Sequence, residues 1–189
     1  DLLFVARLRM NHVPRTWLGP WIVFGFVGHF GFGNGGNLDN NTGAAFTVGS
    51  SRLTIESSFG FVGTSSLDLG SIPVGLGASA GPARTLSVNA NTLTVGGTIS
   101  DGTDATTPAT SLTKAGAGNL TLAGNNAHSG GVTLSAGTLT IAAANALGTG
   151  TLTVNGGTLD ASGAPTIANA LVLGADLSFA GTSNLTQVT

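Results

Sequence analysis

Short stretches of alternating apolar and polar residues recur along most of this chain at a nearly constant interval. Four leucines occupy the second position of such a stretch, at separations of 19, 20 and 18 residues: Leu120, Leu139, Leu159 and Leu177. A second series keeps intervals of 18 and 19 residues: Leu134, Leu152 and Leu171. Alternation with a period of two predicts half-buried β-strands. Because both series share a period of about 19 residues, the sequence predicts a solenoid whose stacked turns share one core.

The strand-like stretches run from about residue 52 to residue 180, and only residues 142–148 (AAANALG) have the composition of a helical turn. We therefore predict an all-β fold in which residues 37–189 form a parallel β-helix. At roughly 19 residues per turn and about 4.8 Å between strands, this segment would hold about eight turns in a rod of roughly 40 Å. A longer echo relates FVGTSSL at 61–67 to FAGTSNL at 179–185, which indicates a super-repeat.

Composition excludes several classes of protein. Only 7% of the residues are charged and the net charge is -2, so the chain lacks the basic patch that nucleic-acid binding requires. It contains no cysteine, which excludes a disulfide scaffold and thiolate chemistry. Hydrophobic residues make up 41% of the chain, whereas disordered chains combine low hydrophobicity with high charge. We expect a folded protein with no nucleic-acid partner.

Residues 1–36 differ from the rest and stay unassigned as an atypical apolar, arginine-containing leader or fragment end. They hold three of the five arginines and both tryptophans. The apolar run from Trp17 to Phe32 is about as long as a short membrane span, but glycines, Pro20 and His29 interrupt it. Three interpretations stay open: an irregular leading segment, the remnant of an export signal or anchor, and a membrane-associated segment.

The glycine-rich stretch at 112–131 (LTKAGAGNLTLAGNNAHSGG) superficially resembles a phosphate-binding loop. Such a loop follows a strand and opens a helix, whose amides meet the anion. Here a strand-like stretch follows the glycines and Lys114 precedes them, so we interpret the stretch as strands joined by corners. Asn125 and Asn126 tolerate the left-handed conformation. Five glycines permit sharp corners and positive φ: Gly116, Gly118, Gly124, Gly130 and Gly131.

No residue is predicted to be catalytic, to bind a cofactor or to hold a metal. His12, His29 and His128 lack the spacing of metal ligands, and we expect His128 to face solvent in a turn. Asp39 lies in a motif at 35–43 that faintly resembles a calcium-binding repeat. One carboxylate cannot supply the six to eight oxygens that calcium takes.

A carbohydrate-active β-helix enzyme segment is the main alternative to a structural protein. Such chemistry needs clustered acids or bases to move protons. Asp101 and Asp104 form the only close acidic pair in the sequence, and the formation of an Asp-Gly turn explains Asp101. The sequence therefore predicts that this chain is not an enzyme.

Residues 111–163 combine a set of blocks in a fixed order. The blocks are a lysine, Gly-x-Gly, a strand, a Gly-Asn-Asn turn, Ser-Gly-Gly, a strand, Ala-Gly-Thr-Leu, Ala-Leu-Gly and Asn-Gly-Gly-Thr-Leu. This order closely resembles the autotransporter-associated β-strand repeat of bacterial autotransporter passengers. Residues 37–91 resemble the degenerate turns between such repeats less sharply, and residues 1–36 do not match. His128 stands where the family usually has an aromatic residue, commonly tyrosine.

The resemblance implies a right-handed parallel β-helix, exported by type V secretion to the bacterial outer membrane and the cell surface or extracellular space. It implies an adhesin-like passenger whose stalk extends a recognition region from the cell. The implied partners are an unknown host-surface or extracellular ligand and an outer-membrane β-barrel of the parent protein. The long amphipathic strands of such a barrel are not found in this sequence. The resemblance implies no cofactor.

Overall fold

A computed structural model of the protein describes residues 30–32, 37–40, 46–47, 53–55, 57–77, 83–102 and 109–188. Within these ranges every regular element is a β-strand, and every paired strand lies parallel to its neighbours. The described strands are β1 (Phe30–Phe32), β2 (Asn37–Leu38), β3 (Phe46–Thr47), β4 (Leu53–Ile55), β5 (Phe59–Phe61), β6 (Leu67–Asp68), β7 (Val74–Leu76), β8 (Ala83–Val88), β9 (Thr92–Val95), β10 (Ile99–Asp101), β11 (Ser111–Ala115), β12 (Asn119–Leu122), β13 (Val132–Leu134), β14 (Thr138–Ile141), β15 (Leu152–Val154), β16 (Thr158–Ala161), β17 (Thr166–Ile167), β18 (Leu171–Leu173), β19 (Ser178–Phe179) and β20 (Thr186–Gln187).

The strands form two long sheets and two shorter ones. The first long sheet has seven strands in the order β2, β5, β8, β11, β13, β15, β18, and the second has seven in the order β3, β6, β9, β12, β14, β16, β19. The solenoid has a third side, which is formed by the two shorter sheets. The sheet β1, β4, β7, β10 lies towards the N-terminal end of the chain, and the pair β17 and β20 lies towards the C-terminal end. Each long sheet thus takes one strand from each successive turn, which confirms the predicted all-β, parallel β-helix architecture.

The register confirms the first leucine series except at its last member. Leu120 pairs with Leu139, and Leu139 pairs with Leu159. Leu159 then pairs with Phe179, so the assignment of Leu177 to this series was wrong, and Leu177 is an exposed residue. The physical reason is the period of two, which makes positions i and i+2 of a strand equivalent in any pattern of alternation.

The second series contains the same kind of error. Leu152 pairs with Val132 on one side and with Leu171 on the other. Leu134, which the leucine spacing placed in this column, pairs with Val154 instead. Val132 and Leu134 are both buried, so the alternation identified the correct face of the strand and missed the register by two residues.

The uniform turn length does not extend to the first part of the chain. Leu67 pairs with Leu93, and Leu93 pairs with Leu120, so these turns are longer than those that join Leu120, Leu139 and Leu159. Because the early turns are longer, each long sheet contains seven strands, where the uniform period predicted about eight turns.

The core is a continuous stack of aliphatic side chains inside the turns. Leu120, Leu122, Leu139 and Ile141 have no exposed surface. Complete burial of such a side chain stabilises a fold by about 1.5–3 kcal/mol. One turn cannot exclude water from these side chains without a neighbour on each side, so the stacking itself creates the core.

Residues 142–148, the one candidate for a helical turn, form hydrogen-bonded turns at a corner of the solenoid. The amide of Ala146 donates to the carbonyl of Ala143 at 3.1 Å, and the amide of Gly148 donates to that of Asn145 at 3.0 Å. Ala146 and Leu147 are buried, so this corner contributes apolar side chains to the core.

The glycine-rich stretch forms corners, as predicted, although its residues act in two ways. Gly116 and Gly131 have φ values of 77° and 83°, which residues with a Cβ rarely adopt. Asn125 and Asn126 are not among the positive-φ residues that the structure describes, so neither adopts the left-handed conformation that asparagine tolerates. Asn126 acts through its side chain instead, as described below.

The apolar run from Trp17 to Phe32 lies largely outside the described residues. Its last three residues form β1, which pairs with β4. Among the residues that the structure describes, none belongs to a helix of the length and hydropathy that a membrane span requires. The boundary between residues 36 and 37 stays a prediction.

Candidate functional site: polar groups held between the turns

Those of the polar residues singled out in the sequence that the structure describes do not converge on a pocket. No group of three His, Asp or Glu side chains that could hold a metal ion is found within the described ranges. His12, His29 and Asp104 lie outside those ranges. The acidic pair of Asp101 and Asp104 therefore stays untested as a pair, and Asp101 can be described only by its own contacts.

The carboxylate of Asp101 joins two turns at the end of β10. Its Oδ2 accepts hydrogen bonds from the amide of Ser129 at 3.0 Å and from the Ser129 hydroxyl at 2.6 Å. Its Oδ1 accepts a hydrogen bond from the amide of Thr110 at 2.8 Å. These three donors hold the carboxylate against the neighbouring turn, which is a structural role.

Two other aspartates make the same double contact with a hydroxyl residue of the next turn. Asp39 accepts from the amide of Thr64 at 2.9 Å and from its hydroxyl at 2.7 Å. Asp160 accepts from the amide of Thr182 at 3.2 Å and from its hydroxyl at 2.7 Å. Desolvation opposes the ionisation of Asp160, but the hydrogen bonds from Thr182 and from the amide of Ala161 outweigh it and lower the pKa of that carboxyl. Asp39 itself thus joins two turns.

The sequence contained a signal for this contact that residue spacing did not reveal. Thr64 and Thr182 occupy the same position in the two copies of the echo, FVGTSSL at 61–67 and FAGTSNL at 179–185. In each copy the threonine donates twice to an aspartate of the preceding turn. The echo therefore marks a repeated contact between turns.

Lys114 is enclosed at a corner instead of being presented to a ligand. Its side chain has no exposed surface. The ammonium donates to the carbonyls of Ala115 at 2.9 Å, Gly116 at 2.8 Å and Ala136 at 3.0 Å. Burial lowers the pKa of the Lys114 ammonium to about 8. With three carbonyl partners, this cation satisfies the backbone of two adjacent turns.

Asn126 is a second buried polar residue that bridges turns. Its Oδ1 accepts the amide hydrogen of Ile99 at 2.7 Å, and its Nδ2 donates to the carbonyl of Ala146 at 2.5 Å. Ile99 belongs to the preceding turn and Ala146 to the following one. One side chain therefore replaces strand pairing at a corner where the third side of the solenoid has no strand.

His128 lies in the same corner, and the prediction that it faces solvent was wrong. Its side chain has no exposed surface. Its amide donates to the carbonyl of Ile99 at 3.2 Å, and its carbonyl accepts the amide hydrogen of Thr149 at 3.0 Å. The sequence of this corner alone is typical of a surface loop, whereas in the folded solenoid the turns on both sides cover the imidazole.

The last described turn exposes large apolar side chains. Its strands β18, β19 and β20 have partners on one side only. Five hydrophobic residues of this turn are 40% exposed or more: Val172, Leu173, Leu177, Phe179 and Val188. These residues form an exposed apolar rim at this end of the described solenoid.

These contacts define the class of protein to which the chain belongs. A stack of parallel turns with an aliphatic core, whose polar side chains bond to the backbone of adjacent turns, is a structural repeat protein.

Comparisons with known proteins identify the class of repeat. The passenger-associated-transport-repeat family matches residues 112–141 and 136–161. A relative described as an adhesin BmaC autotransporter, from Brucella suis biovar 1 (strain 1330), is 30% identical over 165 residues, which covers 79% of this chain. No solved structure matches the chain. Residues 112–161 are therefore passenger-associated transport repeats, and the chain is an autotransporter passenger segment, which confirms the resemblance found in the sequence.

The chain spans 5% of the length of this curated relative. The matched segment thus corresponds to a small part of a long passenger.

Proposed function

We propose that this chain is a stalk segment of an adhesin-like autotransporter passenger, displayed at the bacterial surface or secreted. The observation that carries the proposal is the uninterrupted stack of seven strands in each long sheet, combined with the passenger repeats at residues 112–161. The segment acts mechanically and catalyses no reaction.

The stack suits a spacer because its backbone hydrogen bonds run along the axis of the solenoid. Seven strands at about 4.8 Å per strand give a rod of roughly 30 Å. Bending the rod would break ladder bonds on one side, and the contacts of Asp101, Lys114 and Asn126 add bonds between turns at the corners. Each added turn completes the core of the one before it, so folding outside the cell could proceed turn by turn and help to draw the passenger outward.

The proposed partners follow from the passenger class. The parent protein would carry an outer-membrane β-barrel, and its recognition region would bind a host-surface or extracellular ligand. The relative is described as an adhesin, which supports an adhesive role for the whole passenger. Within this chain the described polar side chains mostly bond to neighbouring turns, which favours a role in holding the recognition region over direct binding.

Surface display tests the proposal. We would place the chain between an epitope tag and the barrel of a laboratory autotransporter, then measure antibody labelling of whole cells and protease resistance of the segment. We expect a labelled tag and a protease-resistant segment. Energy transfer from a dye on the tag to a dye in the membrane should be weaker than in a fusion that lacks the segment.

A core variant supplies the matched control. Leu139→Asp, which places a carboxylate in the core, should leave the segment protease-sensitive, while Thr138→Asp on the outer face should behave like the parent fusion. Energy transfer that is unchanged by the segment would rule out a spacer. Adhesion of cells displaying this chain to a monolayer of cultured mammalian cells, without any other passenger region, would relocate the recognition function into the segment itself.

A further inference from the structure

The imidazole of His128 is fully buried, and neither of its ring nitrogens is hydrogen-bonded to the protein. Nδ1 and Nε2 both lack a hydrogen-bond partner, and the side chain has no exposed surface. A Cβ placed on Gly148 would lie 2.9 Å from both Cε1 and Nδ1 of the ring. The ring therefore packs directly against the glycine of the following turn.

The backbone around this ring is hydrogen-bonded to the turns before and after it, at the third side of the solenoid. The amides of Ala127 and His128 donate to the carbonyl of Ile99 at 2.7 and 3.2 Å, and the amide of Thr149 donates to the carbonyl of His128 at 3.0 Å. Three turns meet here: the end of β10, the corner 126–131 and the corner 143–149. The imidazole fills the space between the last two.

Among the described residues, few charges face the ring. On the side of β10 stands Asp101, whose carboxylate already accepts hydrogen bonds from Ser129 and Thr110. The corner 143–149 contributes no titratable residue, and the corner 126–131 contributes only His128 itself. Burial lowers the pKa of His128 below its ordinary value of 6.5, and this effect exceeds the opposing influences of Asp101 and of the Ile99 carbonyl.

An imidazolium needs two acceptors, one for each N–H, whereas the neutral ring needs one. Neither ring nitrogen has a hydrogen-bond partner in the folded corner, and the nearby Ile99 carbonyl, which already accepts from two amides, offsets only part of the cost of burial. A proton on the ring would therefore be a poorly compensated buried charge. Opening of the corner would give both N–H groups access to water. Proton binding and opening are consequently coupled.

We propose that His128 makes this corner an acid-sensitive joint of the stalk, at which protonation releases residues 126–131 from the turns on either side while the β12 and β14 ladder stays paired. Above the ordinary pKa of histidine the ring is neutral in both states and pH has no effect. Below it the open state binds a proton that the closed state does not, so the opening constant rises by up to about tenfold per pH unit. The rise ends where the ring of the closed state also becomes protonated.

Hydrogen exchange on the full 189-residue chain tests the proposal. Protection factors, which correct for the intrinsic pH dependence of exchange, would be measured from about pH 8 to about pH 5. We expect protection at the amides of Ala127 and Thr149 to fall by up to about tenfold per pH unit below the ordinary histidine pKa. Protection at Leu139, in the adjoining ladder, should change much less.

Two variants separate the joint from general acid sensitivity. His128→Phe keeps a ring without a titratable nitrogen, and we expect it to remove the pH dependence at Ala127 and Thr149. Asp101→Asn removes the carboxylate that, among the described residues, raises the pKa of His128, and we expect it to lower the pKa of His128 further. Equal pH dependence in the parent chain and His128→Phe would overturn the proposal.

A measurement on the parent chain keeps the proposal testable if His128→Phe does not fold. Imidazole nitrogen chemical shifts of a 15N-labelled sample give the pKa of His128 directly. A value clearly below 6.5 supports the joint. A value at or above it would show that the folded corner accommodates the proton and would refute the coupling.

Discussion

The register of β14 can be tested by placing a carboxylate on each of two adjacent residues. Leu139 has no exposed surface and stands between Leu120 and Leu159 in the ladder, both of them in the core. Thr138, the residue before it, lies on the outer face and is partly exposed. Leu139→Asp forfeits about 1.5–3 kcal/mol of leucine burial. It also places a carboxyl in an apolar site, where even an unpaired neutral polar group costs about 1–3 kcal/mol by mutational measures.

The expected loss for Leu139→Asp is therefore about 2.5–6 kcal/mol, a large part of the roughly 5–15 kcal/mol that stabilises an ordinary domain. Thr138→Asp should cost less than about 1 kcal/mol, as surface substitutions do. Urea unfolding followed by circular dichroism gives both values. The burial raises the pKa of the new carboxyl, so its penalty should shrink as the pH falls towards the carboxyl range. Equal losses in the two variants would show that Leu139 does not face the core.

Four further outcomes are expected. Lys114→Met leaves three carbonyls without their donor and should lower the free energy of unfolding by about 2–4 kcal/mol. Because the pKa of Lys114 in the folded chain is about 8, the parent chain should gain stability from about pH 8 towards pH 10 in denaturant titrations. The variant should show no such gain. Asn126→Ala unsatisfies the amide of Ile99 and the carbonyl of Ala146 and should cost about 1–3 kcal/mol in the same assay. A chelator should leave the thermal midpoint unchanged in a melting experiment. The chain should associate through its exposed rim as its concentration rises, which analytical ultracentrifugation would measure. Replacing Ser178 and Thr186, both exposed, with lysine should suppress this association. A parent chain that is monomeric at all concentrations would contradict the prediction.

The core could be predicted from the sequence because its signal is local. Inward positions such as Leu120, Leu139 and Leu159 alternate with polar residues within one strand, and their burial needs no knowledge of other turns. Predicting the register required information from beyond the single strand. Leu177 and Phe179 differ by one strand period, so both fit the alternation, and only the length of the corner before them places Phe179 beside Leu159.

The polar contacts could not be predicted in the same way, because each depends on two residues in different turns. The partners of Asp101 and Asn126 lie up to 28 residues away along the chain. Turn lengths change from the early turns to the late ones, so no fixed offset leads from a side chain to its partner. The echo that contains Thr64 and Thr182 was the exception, since it repeats the donor in a recognisable context.

The stack also explains why one substitution in a repeat can change the character of a turn. In a globular domain a corner residue faces water, and a histidine there titrates without consequence for the fold. In a solenoid the same corner is covered by the turns before and after it, so its side chain becomes an interior group. A hydrocarbon ring such as that of phenylalanine can be buried in such a corner without a hydrogen-bond partner more cheaply than an imidazole can. An imidazole in the corner adds a proton-binding group to it. The position of the residue in the stack, and not its proximity to other chemical groups, gives this histidine its significance.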